Sequence, residues 1–162
     1  MKDQILDFME RDDFKPMKAE DLIAAMKIKD EDLEEFFADL RQLEEDGLII
    51  MNRKSRYGLC RHMNLLAGHM EGNPKGFGFF VSDQQPRADI YIPFDALNGA
   101  MHHDRVLVRV TKEQKYVNGR EEGEVVRVLE HVNRRVVGTY EAMENYGFVK
   151  PDERRLGLDI FI

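Results

Sequence analysis

The sequence predicts an α+β chain in three parts: a helical unit closed by a hairpin, a five-stranded barrel, and the start of a second barrel. Three observations predict it. Apolar residues recur at helical spacing between Ile5 and Leu43. From Leu65 onward they alternate in short runs bounded by turn residues, the pattern of strands. Part of the β region then returns: Gly68 recurs as Gly138, Glu71 as Glu141, and Asp89-Ile90-Tyr91-Ile92 as Asp159-Ile160-Phe161-Ile162, all at an offset of 70. Gly78-Phe79 recurs as Gly147-Phe148 at an offset of 69, so one residue is absorbed in a loop. Self-similarity at a fixed period marks a duplicated structural unit.

Taken in order, Ile5, Leu6, Phe8 and Met9 predict a first helix over residues 2–11, which Phe14-Lys15-Pro16-Met17 breaks. Leu22, Ile23, Ala25 and Met26 predict a second over 19–27. Asp30 is the expected N-cap of a third, with Glu31 and Asp32 in the first turn, where acids favour the helix dipole. Leu33, Phe36, Phe37, Leu40 and Leu43 line that helix, and Gly47 is its expected C-terminal cap. Residues 48–51 and 57–60 read as strands of a hairpin around the basic turn Asn52-Arg53-Lys54-Ser55-Arg56. Three short helices and a hairpin make a winged-helix pattern, assigned to residues 1–62.

Candidate strands follow at 65–71, 77–82 and 88–92, then a turn or short helix at 93–99. Val106, Val108 and Val110 alternate in a fourth strand, and Glu124 to Leu129 form a fifth after a polar loop around Asn118-Gly119-Arg120. Five short strands in this space suit an OB/cold-shock barrel over residues 64–132, whose strand 2–3 face commonly binds single strands. Residues 133–162 restart the plan as a second OB/cold-shock domain and stop at the counterpart of Ile92. The chain is therefore expected to be the N-terminal piece of a longer protein, with its last stretch the least protected part in isolation.

Composition narrows the class. The only cysteine is Cys60, so no disulfide framework forms within the chain, which fits a reducing, cytoplasmic location. The N-terminus does not read as a signal peptide, and no apolar run approaches the roughly 20 residues that span a bilayer, so no membrane partner is expected. The net charge of −7 is unevenly spread. Residues 1–50 carry 7 Lys and Arg against 16 Asp and Glu, whereas residues 51–70 carry 4 basic and no acidic side chains. Local charge, not the total, governs a binding face.

The segment Lys75-Gly76-Phe77-Gly78-Phe79-Phe80-Val81 is the most informative. Read as a strand, it places Lys75, Phe77 and Phe79 on one face, with glycines leaving the other nearly bare until Phe80. Tyr91, between Ile90 and Ile92, is expected to face outward beside them. Rings at every second position suit a platform on which unpaired bases stack. In the second unit Tyr146, Phe148 and Phe161 match the three rings, but Glu144 and Asn145 replace Lys75 and Gly76 and remove the cation. Arg53, Lys54 and Arg56 at the hairpin tip are candidate phosphate contacts. The third helix carries Glu34, Glu35, Asp39, Glu44, Glu45 and Asp46 against Arg41, so phosphate repulsion argues against its reading a DNA groove and for contact with a protein partner, RNA-end handling or regulation.

The five histidines show no metal spacing; His102 and His103, if extended, would point to opposite faces. Asp83, Asp89, Asp95 and Asp104 read as turn and surface acids. No catalytic residue, metal or cofactor is expected in the chain.

The winged-helix pattern is followed by Gly68 to Phe79, by Asp89-Ile90-Tyr91-Ile92-Pro93, by Met101-His102-His103-Asp104-Arg105-Val106 and by a second cold-shock-like start. This order resembles the N-terminal region of bacterial ribonuclease R, over the whole chain. The resemblance implies a processive, hydrolytic 3′→5′ exoribonuclease of structured RNA. In it two cold-shock domains precede a magnesium-dependent catalytic domain and an S1 domain. By that match Lys75, Phe77, Phe79 and Tyr91 are the RNA contacts, and the chain binds and guides single-stranded RNA without cutting it. Pro93 stands where small cold-shock proteins usually have a stacking histidine, and His103 where the family often has a turn glycine. A winged-helix DNA-binding transcription regulator and a free-standing cold-shock-like RNA chaperone are the alternatives.

Overall fold

The structure, a computed structural model, describes residues 1–84, 87–112, 120–156 and 159–162. It divides into two compact units, Met1–Leu65 and Leu66–Ile162.

The first unit holds α1 (Lys2–Met9), α2 (Ala19–Met26), α3 (Leu33–Glu45), β1 (Ile49–Met51) and β2 (Tyr57–Leu59). The apolar spacing of each helix turns one stripe inward. Ile5, Met9, Leu22, Phe36, Leu40, Leu43, Ile49 and Leu59 meet in one buried cluster. Asp30 is not the N-cap expected of it: it lies inside a 3-10 turn, Asp30–Asp32, that leads into α3. The acids still sit at the positive end of the helix. Gly47 does end α3, at φ 72°. Leu48 N–H donates to Leu43 O at 3.0 Å and Gly47 N–H to Glu44 O at 3.1 Å, the paired bonds of a Schellman cap. That turn delivers the chain into the antiparallel β1–β2 hairpin, with Ile49 opposite Leu59. At its tip the Asn52 carboxamide oxygen accepts from the backbone N–H of Lys54 and Arg56. Cys60, expected in the return strand, begins the following 3-10 turn.

The second unit contains β3 (Leu65–Gly72), β4 (Gly78–Ser82), β5 (Ile90–Ile92), β6 (Arg105–Lys112) and β7 (Glu122–Glu130). They close a barrel in the order β3-β4-β5-β7-β6, an OB-like arrangement. Four of its joints are antiparallel or closing contacts, and β5 lies parallel to β7 with Tyr91 beside Glu122. Met70, Phe80, Ile90, Ile92, Val106, Val108 and Val125 fill the interior. Asn118 and Gly119 of the expected polar loop lie outside the described residues; Arg120 is described.

A three-stranded sheet follows, β8 (Gly138–Ala142), β9 (Gly147–Pro151) and β10 (Ile160–Phe161). It repeats β3-β4-β5 bond for bond. Glu71 lies opposite Phe79 and Glu141 opposite Phe148. Phe79 lies opposite Tyr91 and Phe148 opposite Phe161. Asp83 N–H donates to Ala67 O, and Asp152 N–H to Val137 O. Glycine recurs where strands come closest: a Cβ on Gly68 would collide with Val81 O, and one on Gly138 with Lys150 O. The offset of 70 in sequence is thus one meander built twice. Among the described residues no helix is long and apolar enough to cross a membrane.

Candidate nucleic-acid interface

The alternation of β4 and β5 fixes the site. Gly78, Phe80 and Ser82 are buried on one side of β4, and Ile90 and Ile92 on one side of β5. Phe79 and Tyr91 must then point the other way, and Phe77 precedes β4 on the same side as Phe79. The three rings meet: Phe77 and Phe79 at 5.7 Å between centroids, Phe77 and Tyr91 at 5.4 Å, Phe79 and Tyr91 at 6.0 Å. Each is half-buried. Tyr91 is locked from both sides, opposite Phe79 on β4 and through its N–H to Glu121 O.

Lys75 does not share the strand. Asn73 N–H donates to Phe77 O, Gly76 N–H to Asn73 O, and Lys75 N–H to the Asn73 side-chain oxygen. These bonds fold residues 73–77 into a tight turn, with Gly76 at φ 100°. Alternation stops at Phe77, and Lys75 stands exposed in the turn beside the platform. The cation that touches a ring is another one. The Arg120 guanidinium carbon lies 4.7 Å from the Phe79 ring centroid, within cation–π range. Sequence reasoning missed it. The contact depends on the parallel β5–β7 pairing, which brings the entry to β7 alongside Tyr91 and leaves no local signal in the sequence. Phe94 was also missed: it is 53% exposed, and its ring leaves no ordinary room for a Cβ on Gly76.

In the repeat, Tyr146 and Phe161 come together at 5.7 Å with their planes 27° apart. Phe148 is the strand partner of Phe161 and is half-buried. Both Tyr146 and Phe161 are more exposed than their counterparts in the barrel. Arg53, Lys54 and Arg56 are exposed at the hairpin tip of the first unit.

His102 and His103 are not extended. His103 takes φ 71° in a turn closed by Asp104 N–H to Met101 O, and the two rings lie 3.7 Å apart. His102 is buried, its Nδ1 accepting the Gly72 N–H at 3.0 Å, and burial pushes its pKa below the ordinary value. Asp104, expected at the surface, is fully buried. Its carboxylate accepts from Met101 N–H at 2.9 Å, Val132 N–H at 3.1 Å and His131 Nδ1 at 2.8 Å. Among the described residues no group of three His, Cys, Asp or Glu side chains could hold a metal ion.

A closed OB-like barrel with three convergent rings and a guanidinium on its strand 2–3 face defines an OB-type domain with an aromatic surface. Its residues 68–128 match the family model described as Ribonuclease B OB domain. The chain is 33% identical to a ribonuclease R of Acidithiobacillus ferrooxidans, over 88% of this chain and 32% of that protein. It is 34% identical to a ribonuclease R of Vibrio parahaemolyticus, over 98% of this chain and 19% of that protein. The chain is similar to the N-terminal region of ribonuclease R, and it spans between a fifth and a third of these relatives' length. A solved structure of a yeast pseudonuclease aligns with 59% of this chain and 17% of its own, at a TM-score of 0.47 and 19% identity.

Proposed function

We propose that this chain binds and guides single-stranded RNA for a processive hydrolytic 3′→5′ exoribonuclease of ribonuclease R type, acting in cytoplasmic RNA decay and processing. The observation that carries the reading is the ring cluster of Phe77, Phe79 and Tyr91 with Arg120 against it. Every base has a π-face, so such a surface holds unpaired strands with little regard to sequence. Lys75 on the adjoining turn is a phosphate contact in this reading, and Tyr146, Phe148 and Phe161 continue the surface on the repeat. Residues 1–62 act as a winged helix, 64–132 as the first OB/cold-shock domain and 133–162 as the start of a second. The chain itself does not cut. Cleavage and its magnesium belong to the family's catalytic domain, and no step is assigned to a metal among the residues described here.

The acidic α3 speaks against a DNA-reading regulator, since its carboxylates would face phosphates. It is better suited to a protein partner, with Arg53, Lys54 and Arg56 left to meet phosphate.

The test is fluorescence anisotropy with a short labelled single-stranded RNA and a matched DNA duplex, across salt. Stacking is worth about 1–3 kcal/mol per base. Phe77→Ala/Phe79→Ala is therefore expected to weaken single-strand binding by about thirtyfold or more. Duplex binding that ignores the double substitution would overturn the reading.

A further inference from the structure

A cavity of about 240 Å³ opens beside the ring platform, between the barrel and the repeat sheet. Phe77 belongs to both: one part of its ring packs on Phe79 and Tyr91, and it also lines the cavity. Phe94, Leu97 and Ile160 supply further apolar wall, and Asn98 and Arg155 bring polar groups to it. The cavity is smaller than the roughly 300–1,000 Å³ of sites for drug-sized ligands.

Its walls are built. The repeat approaches the barrel so closely at Gly72 that a Cβ there would collide with the Arg155 carbonyl oxygen. The Arg155 guanidinium is held in place by Glu153, at 3.0 Å from Nε and 3.3 Å from the second nitrogen. His102, in the same wall, is 4% exposed. Its Nδ1 accepts the Gly72 N–H, so the neutral ring carries its proton on Nε2. That Nε2 is buried and has no hydrogen-bond partner among the described residues.

We propose that this cavity receives one unstacked nucleobase of the strand that crosses the ring platform. The proposal rests on the RNA-binding reading above and adds a defined subsite to it. Stacking against Phe77 and Phe94 holds the base, while the Asn98 amide and the Arg155 guanidinium of the wall meet its polar edge. A flat heteroaromatic ring with carbonyl and amino edges is the ligand whose chemistry matches apolar faces and polar rims together. Continuity through Phe77 makes a base of the same strand the occupant.

The experiment is nuclear magnetic resonance on the whole 162-residue chain with methyl-labelled Leu, Met and Ile. The probe is a single-stranded RNA of about eight nucleotides, within the roughly 4–16 nucleotides spanned by an OB-type barrel. Base-proton NOEs to the methyls of Leu97 and Ile160 are expected, together with NOEs to the Phe79 and Tyr91 rings. Phe94→Ala, at a position 53% exposed, is expected to lower affinity about tenfold with the circular-dichroism spectrum unchanged. NOEs confined to Phe79 and Tyr91, or unchanged affinity in Phe94→Ala, would overturn the cavity subsite and leave the platform standing. Absence of RNA binding altogether would overturn the platform reading, and the subsite with it.

Discussion

Asp104 is a fully buried carboxylate with three donors, and its removal can be worked through from them. Met101 N–H and His131 Nδ1 share one oxygen, and Val132 N–H takes the other. In Asp104→Ala the Met101 N–H loses its partner in a half-buried turn, a loss of about 1–3 kcal/mol. Val132 is 48% exposed, so water replaces its acceptor and the loss there is about 1 kcal/mol. The His131 side chain is 61% exposed, and its contact adds less than about 1 kcal/mol. The expected destabilisation of the second unit is about 2–5 kcal/mol, with roughly half of that for Asp104→Asn, which keeps one acceptor oxygen. Urea unfolding followed by circular dichroism reads the change, and hydrogen exchange locates it. Because Val132 begins the segment that leads into β8, amides of β8, β9 and β10 are expected to lose protection before those of β4 and β5. An Asp104→Ala chain within about 0.5 kcal/mol of wild type, the spread of ordinary surface substitutions, would refute the reasoning.

Two further outcomes follow from the same region. Burial lowers the His102 pKa below 6.5, so the unfolded chain takes up that proton first as pH falls. The stability contributed by neutral His102 is complete above pH 6.5 and declines as pH drops toward the folded value. His102→Asn keeps an acceptor for the Gly72 N–H and removes the titration, so the stability difference between neutral and mildly acidic buffer is expected to shrink; an unchanged difference would assign it elsewhere. Gly68→Ala and Gly138→Ala each force a side chain against a neighbouring carbonyl, with an overpacking loss of about 1–3 kcal/mol or more. The first also strikes the Phe80 ring and is expected to lower the melting temperature of the whole barrel. The second should act on exchange within β8, β9 and β10; equal melting of the barrel in both would contradict that assignment.

Periodic features were legible in the sequence and tertiary ones were not. Phe36, Leu40 and Leu43 announced their helix face, and Phe80, Ile90 and Ile92 their strand face, because burial imposes the period directly. The repeat was legible for a similar reason: Gly68 and Gly138 occupy equivalent close approaches. Lys75 was misplaced because alternation was carried one step past the strand, into a turn that the Asn73 side chain and the positive φ of Gly76 create. Arg120 was invisible because its contact depends on the β5–β7 pairing, which sets Tyr91 beside Glu122. Asp104 read as a surface acid because nothing local reveals that three donors converge on it. His103 was flagged by its departure from a turn glycine, and it does hold a left-handed conformation.

The mutual tilt of the three platform rings has a consequence for what can lie on them. Their planes meet at 85°, 49° and 61°, so no two are parallel. Successive bases in a helical strand are parallel. A strand that touches all three rings must therefore give up its own base-on-base order and swing each base independently. Strands that stack strongly on themselves, such as oligoadenylate, surrender more in doing so than oligouridylate, which is nearly unstacked beforehand. On the proposed RNA-binding reading, such a surface would sort its ligands by flexibility rather than by letter, and a paired helix, whose bases cannot swing, would not reach all three rings.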